Sequence, residues 1–423
     1  MTEGGWPKIL CLTSHSPEGP AYGARLRARN IFRLLGQFGE VSVVLAGPYG
    51  TVDSGASGAG PLEPMDVFEF EPWKRSGLGQ RVRGELDPRF LNTHGVRISG
   101  ENRRKLQALI EEHDIVWVHG LRIANACGLW RWPRSILDID DVPSGFHASA
   151  CARAAGIADK LREWRQATLW RRRERLLLQR FDAVAVCSEQ DLRHLGGSER
   201  IVVVPNGHDA PDKAVVRAPA LPPRIGFVGT LEYAPNAQGL RWFLEKAWPL
   251  IRQSAPGVTL RLVGKDSDNA AWRAYENVAG LGWVADADAE MATWSLAIVP
   301  LFVGGGTRIK IATAFSQQCP VVATELGAFG YSVVNGRELL LANTPADFAN
   351  ACVRLLQDRR LADQLAETAW KTWLANWTWD AIAPKVKSLL QLVRRRQEGL
   401  APAPGQQSGP ANPLPHPRGM QTW

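Results

Sequence analysis

Short runs of consecutive apolar residues alternate along the chain with longer stretches whose apolar positions recur every three or four residues. The runs at 8–13, 41–46, 114–119, 136–140, 183–188 and 201–205 are continuous, the pattern of strands buried on both faces. Helical spacing fills 24–37 and 154–180. A second series follows at 224–229, 260–264, 296–301, 320–324 and 338–341, and Leu240, Phe243, Ala247 and Ile251 mark its first helix. Strands alternating with helices predict parallel sheets with helices on both faces. Between the series, 205–223 is rich in Pro and Ala and reads as a linker. The expected fold class is α/β, with two tandem Rossmann-like doubly wound domains and a cleft between them. The boundaries are 1–206 and 207–379, with a helix at about 380–398 packing back on the first domain. From 399 to 423 no periodicity survives, so a disordered Pro/Gly-rich tail is expected. Ligands of open α/β sheets bind beyond the carboxyl ends of the strands, which favours an enzyme with a small, phosphorylated ligand.

The 423 residues are 45% hydrophobic and 22% charged, ordinary for a globular chain and unlike a disordered or collagen-like one. No apolar stretch reaches about 18 residues, so no membrane-spanning helix is expected. The opening residues carry no basic segment and run into a strand, so no signal peptide is expected. Six cysteines lack paired spacing and read as reduced thiols of a cytoplasmic protein, with Cys11, Cys187 and Cys319 in or beside apolar runs. The net charge of +8 is concentrated. Segment 159–180 carries Lys160, Arg162, Arg165, Arg171, Arg172, Arg173, Arg175 and Arg180 against Asp159, Glu163 and Glu174, with Trp164, Leu169, Leu176 and Leu177 among them. Such a helix is suited to an anionic membrane surface; the alternative is a solvated face packed on its own domain. No nucleic-acid module is visible, and nucleic acid is not expected as a partner.

Three loops carry the candidate chemistry. After the run ending at Pro300 come Gly304, Gly305, Gly306 and Thr307, then a helix with Arg308 and Lys310 in its first turn. Thr307 is expected to cap that helix. Free N–H groups and cations there make an anion site; cations in a first turn oppose the helix dipole unless a ligand requires them. Gly229 and Thr230 close the first strand of the second series and are also suited to a phosphate. After the first strand, the segment from Ser14 holds His15, Gly23, Arg25 and Arg27, expected on the facing wall.

Taken together, these residues resemble the family 4 retaining glycosyltransferases of the GT-B fold, bacterial polysaccharide-assembly type, over about residues 8–390. The motifs are Gly23 to Arg27, Leu137-Asp-Ile-Asp-Asp-Val-Pro-Ser, Cys187-Ser-Glu-Gln-Asp, Val204-Pro-Asn-Gly-His-Asp, Phe227-Val-Gly-Thr with Pro235 and Asn236, Gly304 to Lys310, and Trp379-Asp380. The resemblance implies transfer of a sugar from a nucleotide-sugar donor to a glycan or lipid-linked acceptor, with retention at the anomeric carbon. It implies no metal and no other cofactor, and a place on the cytoplasmic side of a membrane. It makes His119, Arg308 and Lys310 the catalytic candidates, with His15 as an alternative to His119. Donor binding falls to Gly23, Arg25, Gly229, Thr230, Gly264, Val284, Gly304, Gly305, Gly306, Thr307, Thr313 and Glu325. Arg25 or Arg27 would add positive charge from across the cleft. Asp138 and Asp140 point one way along their strand and Asp141 the other, and they are read as hydrogen-bonding groups at the cleft rim.

The sequence departs from the family pattern at stated positions. Thr313 stands where members place a glutamate on the donor ribose, and Phe329 where the subgroup has another, with Glu325 close enough to compensate. A charged hydrogen bond to a diol contributes roughly 1.5–3 kcal/mol, which a threonine cannot match. The Arg and Lys that members place after Phe227-Val-Gly are absent. A non-catalytic binding or scaffold subunit is the alternative reading these departures support. An epimerase on the same two-domain fold is a third; it would need cleft carboxylates, in which the second half is poor.

Overall fold

The computed structural model describes residues 6–14, 23–48, 62–74, 77–154, 156–211, 216–303 and 308–400. Of the tail expected at 399–423, Gly399 and Leu400 close the last helix with N–H bonds to the Arg396 and Arg395 carbonyls, and 401–423 lie outside the described residues, as do Gly304, Gly305, Gly306, Thr307 and His15.

The first sheet is built from β1 (Lys8–Thr13), β2 (Glu40–Pro48), β3 (Pro64–Pro72), β4 (Val96–Ile98), β5 (Ile115–His119), β6 (Ser135–Ile139), β7 (Ala183–Val186) and β8 (Ile201–Val203). Their order is β4-β3-β2-β1-β5-β6-β7-β8, parallel throughout except the β3–β4 edge. Helices α1 (Gly23–Leu35), α2 (Gly77–Leu86), α3 (Gly100–Glu112), α4 (Leu121–Ala126), α5 (Pro143–Arg153), α6 (Ile157–Glu174), α7 (Leu177–Arg180) and α8 (Glu189–His194) connect the strands. β1 is apolar from Ile9 to Leu12 and buried from Ile9 onward, because helices cover both of its faces.

The second sheet holds β9 (Arg224–Val228), β10 (Thr259–Val263), β11 (Val278–Gly280), β12 (Leu296–Val299), β13 (Val321–Ala323) and β14 (Leu340–Leu341), in the order β11-β10-β9-β12-β13-β14, all parallel. Around it lie α9 (Ala234–Trp242), α10 (Trp248–Ser254), α11 (Ala270–Arg273), α12 (Ala287–Ala292), α13 (Ile309–Ser316), α14 (Pro345–Gln357), α15 (Arg359–Asn376) and α16 (Trp379–Gln397). Between α9 and α10 the helix makes one π turn, Phe243–Ala247, and the Trp248 N–H bonds to the Phe243 carbonyl five residues back. Pro249 has no N–H to donate, and the wider turn is how the helix passes it.

α16 leaves the second domain. Ile382, Val386, Leu389, Leu390 and Val393 share one core with Ile9, Cys11, Ile31, Phe32 and Trp117 of the first domain. The chain thus crosses between domains twice, and the crossings touch: the His208 N–H bonds to the Trp377 carbonyl at 2.9 Å, and His208 bridges Thr378. A Cβ on Gly207 would lie 2.5 Å from the Trp379 ring, so only glycine lets the two segments sit this close. All six cysteines are free and five are buried.

Candidate functional site

In each sheet the connections reverse direction at one point, between β1 and β5 and between β9 and β12. A crevice opens at such a switch point, beyond the carboxyl ends of the strands. Both crevices face the gap between the domains.

On the first domain's side, β5 ends at His119 and β6 runs into Asp138, Asp140 and Asp141. Arg27 comes from α1 into their midst, 1% exposed. Its NH2 lies 2.5 Å from Asp138 Oδ1 and its Nε 2.8 Å from Asp140 Oδ1, while NH1 donates to the carbonyls of Val204 and Pro205 and to Asn206 Oδ1. His119 Nδ1 is 3.1 Å from Asp138 Oδ2, and Nε2 is 3.5 Å from Asp140 Oδ2. Burial pushes the imidazole down, but Asp140 and Asp138 outweigh it and raise the ring above the ordinary histidine value. Burial also presses Asp138 upward; the Arg27 charge and the His119 hydrogen bond win and hold it low.

This corrects the reading of Arg27. Its guanidinium is spent inside the first domain and is not offered to a phosphate across the cleft. Arg25 is likewise buried, 5% exposed. His119 does stand at the strand end, but both nitrogens face carboxylates and the residue is 4% exposed. Its Nδ1 is hydrogen-bonded to Asp138, and its Nε2 lies 3.5 Å from Asp140 Oδ2 at the rim. His119, Asp138 and Asp140 together have the spacing of a metal site. The positive charge they need is already supplied by Arg27, so the residues present do not fit a cation.

On the second domain's side, Gly229 follows β9 with φ +156° and Gly264 follows β10 with φ +126°. The Gly229 N–H bonds to the Val263 carbonyl at 2.8 Å. A Cβ on Gly264 would sit 2.4 Å from the Gly229 carbonyl oxygen, so Gly264 serves the close approach of two loops. Over Gly229 stands Lys310, whose Nζ donates to Asn236 Oδ1 at 2.8 Å; Asn236 in turn donates to the Thr230 carbonyl. Burial, with the Arg308 charge, pushes the Lys310 ammonium down to about 7. A cation is therefore held over a glycine corner at the sheet's switch point.

Thr307, expected to cap α13, lies outside the described residues. Arg308 directly precedes the helix, with φ −84° and ψ 92°, and its own side chain makes no cap hydrogen bond. Arg308 is 7% exposed, and its Nε donates to the Leu326 carbonyl. Burial lowers its pKa, opposed by Asp141, Tyr233 and Asp191. Asp141 is exposed at the mouth of the gap. The protein around it and Asp140 push its carboxyl up to about 6, against the pull of Arg308. Burial raises Asp191 to about 6 as well, with Asp141 adding to the shift and Arg308 opposing it. Arg308 from one domain thus faces Asp141 and Asp191 from the other.

The remaining donor-site candidates separate. Thr230 is exposed beside Gly229, and Gly23 opens α1. Val284 packs at the edge of an apolar core. Glu325 is exposed, and its N–H bonds to Asn343 Oδ1. The Thr313 hydroxyl donates to the Ile309 carbonyl of its own helix. Thr313 lines a cavity of about 250 Å³ with Arg27, Asn30, Asn206, His208 and Trp379, on the crossing side of the gap. A larger concavity, about 630 Å³, is lined by Arg224, Thr259 and Arg273 at the amino ends of the second sheet's strands; the strand direction assigns a ligand to the other edge. The sequence reading placed Asp141 at the cleft rim and quoted Asp191 in a motif, but paired neither with Arg308, because nothing local to either residue points to the other domain.

Sucrose-phosphate synthase from Thermosynechococcus elongatus superposes with a TM-score of 0.64 at 16% identity, covering 93% of this chain and all of that one. Anabaena HepE, solved with UDP and glucose, gives 0.59 at 18% identity over 91% of this chain and 99% of its own. WaaG, a glycosyltransferase of lipopolysaccharide biosynthesis, gives 0.58 at 14% identity over 90% and 99%.

The fold is GT-B.

Within that fold, residues 222–358, about a third of the chain, match the family described as glycosyl transferases group 1. The matched segment covers the second sheet and includes Gly229, Gly264, Arg308, Lys310 and Thr313. An uncharacterized 44.6 kDa protein in the cps region of Klebsiella pneumoniae is 28% identical over 133 residues, 29% of this chain; the match spans about a third, 34%, of that protein's length.

Proposed function

We propose that this GT-B chain is a retaining glycosyltransferase of the family 4 type. It moves a hexosyl group from a nucleotide-sugar donor to a glycan or lipid-linked acceptor in cell-surface polysaccharide assembly, working at the cytoplasmic face of a membrane. The observation that carries the reading is the Lys310–Asn236 pair standing over Gly229, inside the segment that matches glycosyl transferases group 1. A diphosphate leaving group needs preorganised positive charge, and Lys310 with Arg308 supplies it from the second domain. HepE, solved with UDP-glucose, supports a donor of this class.

In the proposed reaction the bond from the anomeric carbon to the donor phosphate oxygen breaks. The acceptor oxygen bonds to that carbon on the same face, and its proton passes to the departing phosphate. Gly304, Gly305, Gly306 and Thr307, a glycine-rich run in the sequence, are proposed to bind the donor phosphates. His119, engaged by Asp138 and Asp140, holds the Asp140 carboxylate at the rim. No metal takes part, because Arg27 already occupies the acidic cluster.

The test is a thermal-shift series with UDP-, GDP-, TDP- and CMP-sugars and the free nucleotides. A selective shift names the base. At about 100 times its Kd a ligand stabilises by about 2.7 kcal/mol. Absence of any shift from a folded sample overturns the donor reading.

One observation favours a second reading, a binding or scaffold subunit without turnover. The Thr313 hydroxyl is bonded within its own helix, so nothing at that position replaces a ribose-binding carboxylate. That reading predicts nucleotide or glycan binding with no sugar transfer.

A further inference from the structure

Helix α6 packs along α5 on one face. Trp170 and Glu174 are buried, and Glu174 accepts from the Ser144 N–H at the start of α5 at 2.8 Å. Toward the amino end Glu163 meets His147 of α5 at 2.7 Å, and the Lys160 carbonyl accepts from Cys151 Sγ. The outer face of that half stands clear, with Ile157 80%, Leu161 60% and Trp164 60% exposed.

These three side chains do not scatter around the helix. At about 100° per residue they fall within an arc of about 60°, and Thr168 continues the stripe. Lys160 and Arg171 flank it on one side; Arg165 and Arg172 flank it on the other. Asp159, Glu163, Trp170 and Glu174 lie around the far side. The arginines of the last turn complement the helix dipole. Lys160 lies in the first half, where the dipole gives a cation nothing, whereas Arg165 beside it is shared with Glu85 of α2.

The neighbouring α2 repeats the pattern. Leu78, Val82 and Leu86 are spaced four apart and are 77%, 45% and 69% exposed, with buried Gly84 on the opposite side of the helix. Arg165 pairs with Glu85, and Arg173 donates to the Gly84 carbonyl, so the helices lie side by side. Six of the 17 large apolar side chains exposed among the described residues are on this pair.

We infer that α2 and α6 form a two-helix surface that lies on an anionic lipid bilayer. The apolar stripes enter the boundary between headgroups and acyl chains, and the flanking cations meet lipid phosphates. Charge argues for lipid over a protein partner. The stripe of α6 is bordered by cations on both sides, and long basic side chains bury their stems while keeping their charge in the headgroup layer. The inference deepens the membrane-face part of the proposed function and rests on it.

The experiment is co-sedimentation of the full chain with vesicles of phosphatidylglycerol and phosphatidylcholine, and with phosphatidylcholine alone. Binding is expected to the mixed vesicles and to weaken with salt. Leu161→Ser with Trp164→Ser is expected to weaken it about tenfold or more, and Arg171→Gln with Arg172→Gln comparably. Trp283→Ser, at an exposed tryptophan of the other domain, is expected to leave it unchanged. No binding, equal binding to both vesicle types, or binding that survives both double variants overturns the inference. So does self-association that disappears in the apolar variant without any vesicle binding. The thermal shift with UDP, run on the same samples, separates the two claims. Vesicle binding lost with the shift intact overturns the membrane surface alone; the reverse overturns the donor reading alone.

Discussion

Lys310 makes a pH test available at the level of one side chain. Its ammonium titrates near 7 instead of its ordinary 10.5, so between those values the unfolded chain holds a proton that the folded one has released. Stability on that account rises with pH across the window, by the linkage rule. Nucleotide binding moves the other way, because a diphosphate needs the charged form. Affinity is expected to fall as pH rises through about 7, and binding at pH 8 to take up a proton, read by calorimetry in buffers of different ionisation heat. Lys310→Met should remove both effects and weaken nucleotide binding about tenfold or more, about 1.4 kcal/mol. Unaltered proton uptake in that variant excludes Lys310 from the phosphate site. Arg27 gives a contrasting case. Arg27→Met leaves Asp138 and Asp140 buried without their cation and is expected to cost about 3–5 kcal/mol, measured by urea unfolding. Arg308→Ala should lower turnover at least about tenfold in a folded protein.

Among the elements, the corner between β9 and β10 is where packing and ligand chemistry coincide. Gly264→Ala places a methyl against the Gly229 carbonyl at a φ that L-residues rarely adopt, and is expected to cost about 1–3 kcal/mol. Because the strain falls on Gly229, nucleotide affinity should drop in the same variant, whereas a substitution that only loosens the domain would lower melting temperature alone. The same corner shows what the sequence reveals. Buried parallel strands read as unbroken apolar runs, and β1 is found at 8–13 as expected. β3 escapes because Met65 and Val67 are exposed and acidic residues alternate with Phe68 and Phe70, an edge pattern overshadowed by longer runs. β4 and β11 have three residues each, too few to show a period. The stretch 154–180 reads as one helix, yet it breaks between Glu174 and Leu177 with neither glycine nor proline to mark it. At the site, glycines and cations are legible as residue types. Their partners are not: nothing local says that Arg27 turns inward to five carbonyl and carboxylate groups while Lys310 turns toward Asn236. Those choices come from contacts more than seventy residues apart in sequence.

Across the whole molecule the two crossings act as a paired hinge. Arg27 ties the first to the first-domain core through Val204, Pro205 and Asn206, and Trp379 covers Gly207 on the second. Gly207→Val would force these segments apart. It is expected to lower the melting temperature and to speed thermolysin cleavage near 204–211, with α9–α15 remaining protected as a block in hydrogen exchange. α16 has a further consequence, in the order of events during synthesis. Its apolar face fills a slot bounded by residues near the start of the chain, so the first domain remains open along that slot until residue 393 has emerged from the ribosome. The second domain is complete in sequence by then. Topologically it is an insertion, and it is able to fold first while the earlier half waits, its slot a place for chaperones to act on the nascent chain.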